Sequence, residues 1–481
     1  MTATKSSEEN AHGYPSPNYA WYVVSLSMVL YVLSFMDRQI IAVLVEPIKA
    51  DLGLSDVQIS IVGGFAFVLF YATVGVFVGR LADSLNRPLL IGVGVFIWSL
   101  TTAMCGYATK FSHLLILRMG VGLGESALLP STLSLLSNYF PPKRLATPTS
   151  VFMLGAPIGI GLSFIAGGYL YRFAQEVMSK PESKEYMIIG GMAPWQLVLL
   201  TLGLIGILLS TLLFTIKEPR NSKQRAAGKK ANLISASKAA SVSEVKQYCL
   251  SNWRAIGGLY IGMSFISLAS YSQGFWDITF LSRTYDWDPA TGGMSYGMVQ
   301  LVAGLLGAIV GGVFADRLAR RNLAGSSVAM VIFGSGIAIP FSAMYPMMPS
   351  PTLALAAVSI AIFGNTMAFA CTASAMQRLF PTTMIGLATG IYFFISNAVG
   401  IGLGPTSVAM ITEYMFQDPD KIRYSLLIVG CGARVIGFLM ILGNFRYYDR
   451  LVAELEGLGY TKLGRRRSAV QSGDVIPEQS S

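Results

Sequence analysis

Arg118 and Glu125 stand inside an apolar run, Phe111 to Leu136, that is long enough to cross a bilayer. A charge in the hydrocarbon layer costs at least about 2.5–3.5 kcal/mol, so such side chains face a bundle interior or a watery cavity. Seven residues is almost two helical turns, which puts both side chains on one face, about 10 Å apart along the axis. Gly120, Gly122 and Gly124 leave room for another helix to approach closely. The pair could be a static ion bridge between two helices or a binding and proton site. Charges are rare at this depth, and the second reading is the expectation.

Two more ionisable residues, Asp37 and Arg38, lie in the first apolar run. Counting from the span ends, Asp37 sits about 12 Å in and Arg118 at a similar depth. The two can therefore pair if their helices face each other, while Glu125 sits deeper. Arg38 points about 100° away from Asp37, so the neighbours cannot share one role. Burial raises a carboxylate's pKa and a nearby cation lowers it, so movement around Arg118 could switch proton affinity at Glu125 or Asp37. Asp37, Arg38, Arg118 and Glu125 are the expected proton-coupling and substrate-binding residues.

The elements that must hold these groups are membrane helices. Of 481 residues 53% are hydrophobic and 12% charged, against roughly 25% charged in soluble domains. The net charge of +10 comes from basic residues clustered in short loops, a topology signal and not a nucleic-acid footprint. Four widely spaced cysteines and two histidines, His12 and His113, form no metal-ligand pattern, so no metal and no cofactor is expected. Residues 1–18 lack the basic start and short apolar core of a cleaved signal peptide.

Apolar windows of about 20 residues give twelve spans. They cover 19–45, 57–80, 88–108, 111–137, 146–172, 194–216, 254–281, 290–315, 323–345, 351–377, 384–412 and 422–446. The fold expected is an all-α membrane protein of two six-helix bundles, 19–216 and 254–447, with tails at 1–18 and 448–481. Between the bundles, 217–253 carries eight Lys or Arg and two Glu. With this linker inside, the same side receives Arg80, Arg87, Lys143, Arg144, Arg317, Arg320, Arg321 and Arg378. The opposite loops hold Glu46, Asp51, Asp56, Asp286, Asp288, Asp418 and Asp420. Both termini are therefore expected in the cytoplasm, the protein lying in the cell membrane.

The halves repeat. Gly79-Arg-Leu-Ala-Asp83-Ser-Leu-Asn-Arg87 and Gly312-Val-Phe-Ala-Asp316-Arg-Leu-Ala-Arg320 match at an offset of 233. Gly124-Glu125 and Phe140-Pro141 match Gly364-Asn365 and Phe380-Pro381 at an offset of 240, which puts Val358 at the Arg118 position. The second half thus looks neutral where the first is charged, one half made for charge and one for shape. Duplication on this scale is typical of secondary transporters, which bind substrate near the midplane between repeats.

The twelve spans and the twice-used G-x-x-x-D-x-x-x-R loop resemble the major facilitator superfamily. That resemblance implies a cytoplasmic gate at Gly79, Asp83, Arg87, Gly312, Asp316 and Arg320 that helps latch the outward-facing state; the bland alternative is a topogenic turn. Within the superfamily the Spinster family is the more specific resemblance. It is carried by Phe35-Met-Asp37-Arg38, by Arg118-x-Gly-x-Gly-x-Gly-Glu125-Ser-Ala, and by the stretch from Ser150 through Pro157 to Gly168. It implies transport of an amphipathic lipid such as a lysophospholipid or sphingoid phosphate.

Tyr271, Gln273, Trp276, Asn365, Tyr392, Phe394 and Asn397 are candidate cavity-lining residues, although packing or lipid contact explains any one aromatic as well. The glycine run at 120–124 lacks the strand and acid of a dinucleotide fold, and no Walker lysine pattern exists. The expected function is proton-coupled secondary transport by alternating access, with protons, bilayer and a small-molecule or lipid substrate as partners, in a monomer. The alternatives are a proton-coupled symporter of sugar-acid-like organic anions, since similar Asp-Arg and Arg/Glu pairs occur in such carriers, and a non-transporting receptor or scaffold. An enzyme is not expected, because no nucleophile–base pair appears.

Overall fold

The computed structural model describes residues 14–141, 144–180, 191–219, 241–320, 325–381, 383–455 and 457. The flanking tails and most of the basic linker lie outside them. Among the described residues, twelve helices are long and apolar enough to cross a membrane. They are α1 Pro17–Val43, α2 Asp56–Gly75, α3 Arg87–Cys105, α4 Phe111–Tyr139, α5 Ala146–Ser179 and α6 Pro194–Thr215. The second set is α7 Trp253–Tyr285, α8 Pro289–Arg320, α9 Ser326–Met347, α10 Pro351–Gln377, α11 Ile385–Phe416 and α12 Pro419–Leu455. The helix of α2 continues through Ser84.

Within the first set α1 packs on α5, α3 on α4 and α6, and α2 on α4; within the second α7 packs on α12, α9 on α10, and α8 on α10. Two seams join the sets, α2 against α11 and α5 against α8, and α1 also touches α7. By the repeat, the second helix of each set meets the fifth helix of the other, the pattern of a pseudo-twofold.

Local sequence shapes the helices at the seams and the site. In α4 the helix breaks between Glu125 and Leu128, because Pro130 has no N–H and its ring crowds the carbonyl four residues back, Ser126. Pro157 does the same in α5, which is interrupted at Leu154. In α2 a π-turn, Ile61–Phe65, contains Gly63 and Gly64. A Cβ on Gly64 would sit 2.3 Å from the carbonyl oxygen of Ile401, itself in an α11 π-turn, Ala398–Leu403. Glycine is what lets the two backbones touch there.

Cross-set hydrogen bonds gather at one end of the bundle, the end that carries the connection from α1 to α2. Arg283 of α7 forks onto Asp56 (2.7 and 2.8 Å) and reaches Glu46 at 2.9 Å. Lys49 also bonds Asp56. Glu413 accepts the backbone N–H of Val57 at 3.0 Å, and Arg172 donates to Thr291 at 3.0 Å. This end is sealed across the two sets.

Two elements depart from expectation. The linker region contains a helix, Val242–Ser251, started by a capping box between Ser241 and Glu244. And α12 does not stop near 446: it runs on to Leu455, burying Tyr448, Leu451, Val452 and Ala453. The first residues of the expected tail are thus part of the last helix.

Candidate functional site

The four charged residues of the first half come together between α1 and α4. Arg38 Nη2 donates to Glu125 Oε2 at 2.7 Å, and Ser34 Oγ, one turn earlier on α1, donates to the same oxygen at 2.8 Å. The Arg38 guanidinium also lies over three aromatic faces: Phe35 and Phe67 at 4.7 Å and Tyr71 at 4.8 Å. Each face adds cation–π attraction of about 0.5–2 kcal/mol. The break in α4 just after Glu125 falls at this contact.

Arg118 and Asp37 do meet, but not as a side-chain ion pair. The guanidinium donates to backbone carbonyls of α1, to Asp37 O at 3.0 Å and Arg38 O at 3.4 Å. Both carboxylate oxygens of Asp37 are buried without a hydrogen bond, facing Trp98 and Thr102 of α3. Glu125 Oε1 is likewise buried and unpartnered. The expected pairing is thereby corrected. Glu125 is held by Arg38, not Arg118, because the α1 register turns residue 38 toward α4 and residue 37 toward α3.

The loop motif is split by its surroundings. Gly79 and Asp83 lie in the continuation of the α2 helix, and their surroundings are outside what the structure describes. Arg87 is fully buried, pairs with Glu218 and donates to the Ser134 carbonyl, so it ties the start of α3 to the end of α4 and to the chain after α6. Its repeat counterparts Asp316 and Arg320 are exposed, and Gly312 has open space around it.

Of the candidate cavity residues, Trp276 is fully buried and donates to Pro405 O at 2.8 Å, which makes it a packing residue and not a cavity wall. Gln273 and Tyr392 are buried, Tyr271, Asn365 and Asn397 are half-buried, and Phe394 is exposed. Asn365 accepts a hydrogen bond from Ser270 at 2.9 Å.

The second half is not neutral. Asp277 on α7 and Arg434 on α12 are both buried. Neither lies at the counterpart positions 358 and 365, which are neutral. The signal was available: Tyr31, Phe35 and Asp37 recur as Tyr271, Phe275 and Asp277 at the offset of 240 already seen in the fourth and tenth spans. The cluster around Arg283 carries no motif, since its members come from three separate segments.

Twelve apolar helices in two repeated sets, with a charged cluster buried between helices, define a multi-pass membrane transporter rather than an enzyme. Residues 27–405 match the model of the major facilitator superfamily, and the chain belongs to that family of secondary transporters. It is 25% identical over 459 residues to an MFS-type efflux pump of Mycolicibacterium smegmatis, covering 94% of this chain and 99% of that one. Identity is 24% with a probable L-galactonate transporter of Escherichia coli, over 83% and 84% of the two chains. It is 25% with protein spinster homolog 1 of Xenopus tropicalis, over 95% and 87%. In structure it is similar to a bacterial homologue of the human lysosomal transporter Spinster, with TM-score 0.73 and 22% identity over 92% of this chain and 99% of that one. Within the superfamily, its relatives include the Spinster proteins.

Proposed function

We propose that this protein couples proton movement to the transport of an amphipathic, lipid-like anion by alternating access. The observation that carries the reading is the buried Arg38–Glu125 contact beside three carboxylate oxygens that have no partner. A proton delivered to Glu125 in the transport cycle would break this contact and release Arg38 to an anionic head group. Arg118, anchored on the α1 backbone, supplies the second cation. In this reading 19–216 and 254–447 are the moving bundles, joined by 217–253, in a monomer. Both termini lie in the cytoplasm, as the basic loops favour. The sealed end then faces outside, and the Gly79/Asp83/Arg87 and Gly312/Asp316/Arg320 loops latch the opposite state.

The second reading is a symporter of sugar-acid-like anions. It is favoured by the likeness to a probable L-galactonate transporter over most of both chains.

The test uses the full chain in liposomes enclosing a pH-sensitive dye, with lysophosphatidic acid and galactonate added in separate runs. Lipid-dependent proton movement, lost in Glu125→Gln while the variant stays folded, is the expected result. Proton movement with galactonate alone selects the second reading. No response to either, or unaltered coupling in Glu125→Gln, overturns the proton assignment.

A further inference from the structure

Asp277 is placed on α7 where the repeat places Asp37 on α1, within the shared pattern Tyr-x-x-x-Phe-x-Asp. The surroundings of the two carboxyls differ in one respect. In the first half Arg118 reaches α1 from α4. In the second, the equivalent position on α10 is Val358, and Val358 lines a small void beside Asp277 together with Tyr296, Tyr345, Phe280 and Ala354. The void measures about 10 Å³, close to the room one water needs.

The groups facing Asp277 can be named from every helix around it. Tyr345, at the end of α9, donates to Oδ1 at 2.9 Å, and Oδ2 is buried with no hydrogen bond. Tyr296 of α8 also faces the carboxyl. From α10, Ala354, Leu355 and Val358 line the void beside it. Arg434 of α12 is the one cation that acts on it. Arg434, however, forms no ion pair with Asp277 among the described residues; its Nη1 makes a long contact of 3.5 Å with Gly430 O, one turn earlier on its own helix. Gln273, a turn before Asp277 on α7, faces Tyr345.

An ionised carboxylate facing two phenols, Tyr345 and Tyr296, with no contacting cation is costly at this depth. A carboxylic acid is not. Its carbonyl oxygen takes the Tyr345 hydrogen bond and its O–H occupies the unpartnered position. We propose that Asp277 is a second proton-carrying site, the counterpart of Asp37 in the other half, loaded as a neutral acid in the conformation described here. It discharges when Arg434 moves into contact, the proton leaving Oδ2 for water on the side then open. Its role in a cycle rests on the transport reading; its protonation does not. Two carboxyl sites in two halves would let one cycle carry more than one proton.

The experiment is infrared difference spectroscopy of the full chain in lipid nanodiscs, titrated with pH, without substrate. The expected result is a protonated-carboxyl C=O band near neutral pH that shifts in D2O, is lost in Asp277→Asn and persists in Asp37→Asn and Glu125→Gln. Should Asp277→Asn fail to fold, Tyr345→Phe answers the same question. Removing the hydroxyl frees the acid's carbonyl and moves the same band to higher frequency. A spectrum unchanged by Asp277→Asn, or a band that Tyr345→Phe does not move, means Asp277 is ionised and serves as a structural acceptor, which overturns the proposal. Failure of the liposome test with this band present would remove the proton-coupled reading and leave the site.

Discussion

Arg38 is held twice, by a carboxylate and by three ring faces, and the two kinds of hold respond differently to substitution. Removing one partner of a buried ion pair leaves the other charge stranded and costs about 3–5 kcal/mol, whereas removing both together is often nearly neutral. Arg38→Met should therefore lower the thermal midpoint clearly, and Arg38→Met with Glu125→Gln should regain most of the loss. Equal stability of the single and double variants would mean the contact at 2.7 Å carries no coupling. At this scale the sequence spoke plainly about which residues matter, because an Arg, an Asp or a Glu in an apolar run is conspicuous. It was silent on partners. Spacing gives depth and face along one helix but not the rotation of α1 against α4, and that rotation hands Glu125 to Arg38 and the Arg118 guanidinium to backbone carbonyls. Neutral residues at 358 and 365 hid the fact that position 277 is still an aspartate.

At the scale of the helix, the glycines divide sharply into those that touch and those that do not. A Cβ on Gly122 would lie 2.3 Å from the Phe67 carbonyl oxygen of α2, and backbone cannot yield as a flexible side chain does. Gly122→Ala should destabilise by about 1–3 kcal/mol through overpacking. Gly390, with nothing within 4 Å of the same built position, is the control. Ala there should be neutral or stabilising by about 0.5–1 kcal/mol. Detergent melting curves of both variants decide it, and equal midpoints would show that α4 can withdraw from α2 freely. All twelve spans were legible as apolar windows, because hydrocarbon thickness sets their length. Their ends were not. In α7 and α12 the hydrogen-bonded ladder runs beyond the apolar stretch, into Thr284-Tyr285 and Asp449-Arg450-Leu451. The π-turns left no trace beyond their glycines.

For the molecule as a whole, the seal between the sets depends on Arg283, whose fork on Asp56 and reach to Glu46 bind α7 to the first set. Arg283→Met should shift the population toward states open at this end by tenfold or more, each tenfold being about 1.4 kcal/mol. Spin labels at Phe173 and Tyr414, both exposed near that end, should report a longer distance component; an unaltered distribution would move the seal to the glycine seams alone. The two arginine clusters also differ in their contact with water. Glu46 keeps 34% of its side chain exposed, while the Arg38–Glu125 side chains are 8% and 0% exposed. Dissolved ions reach the Glu46 arm of the first, whose Arg283–Asp56 fork is itself 8% and 6% exposed, and do not reach the second. Raising KCl from about 0.01 M to about 1 M shortens the screening length from about 30 Å to about 3 Å. Ionic strength should therefore loosen the seal while leaving the inner lock untouched, so the medium itself sets how often this end of the protein opens.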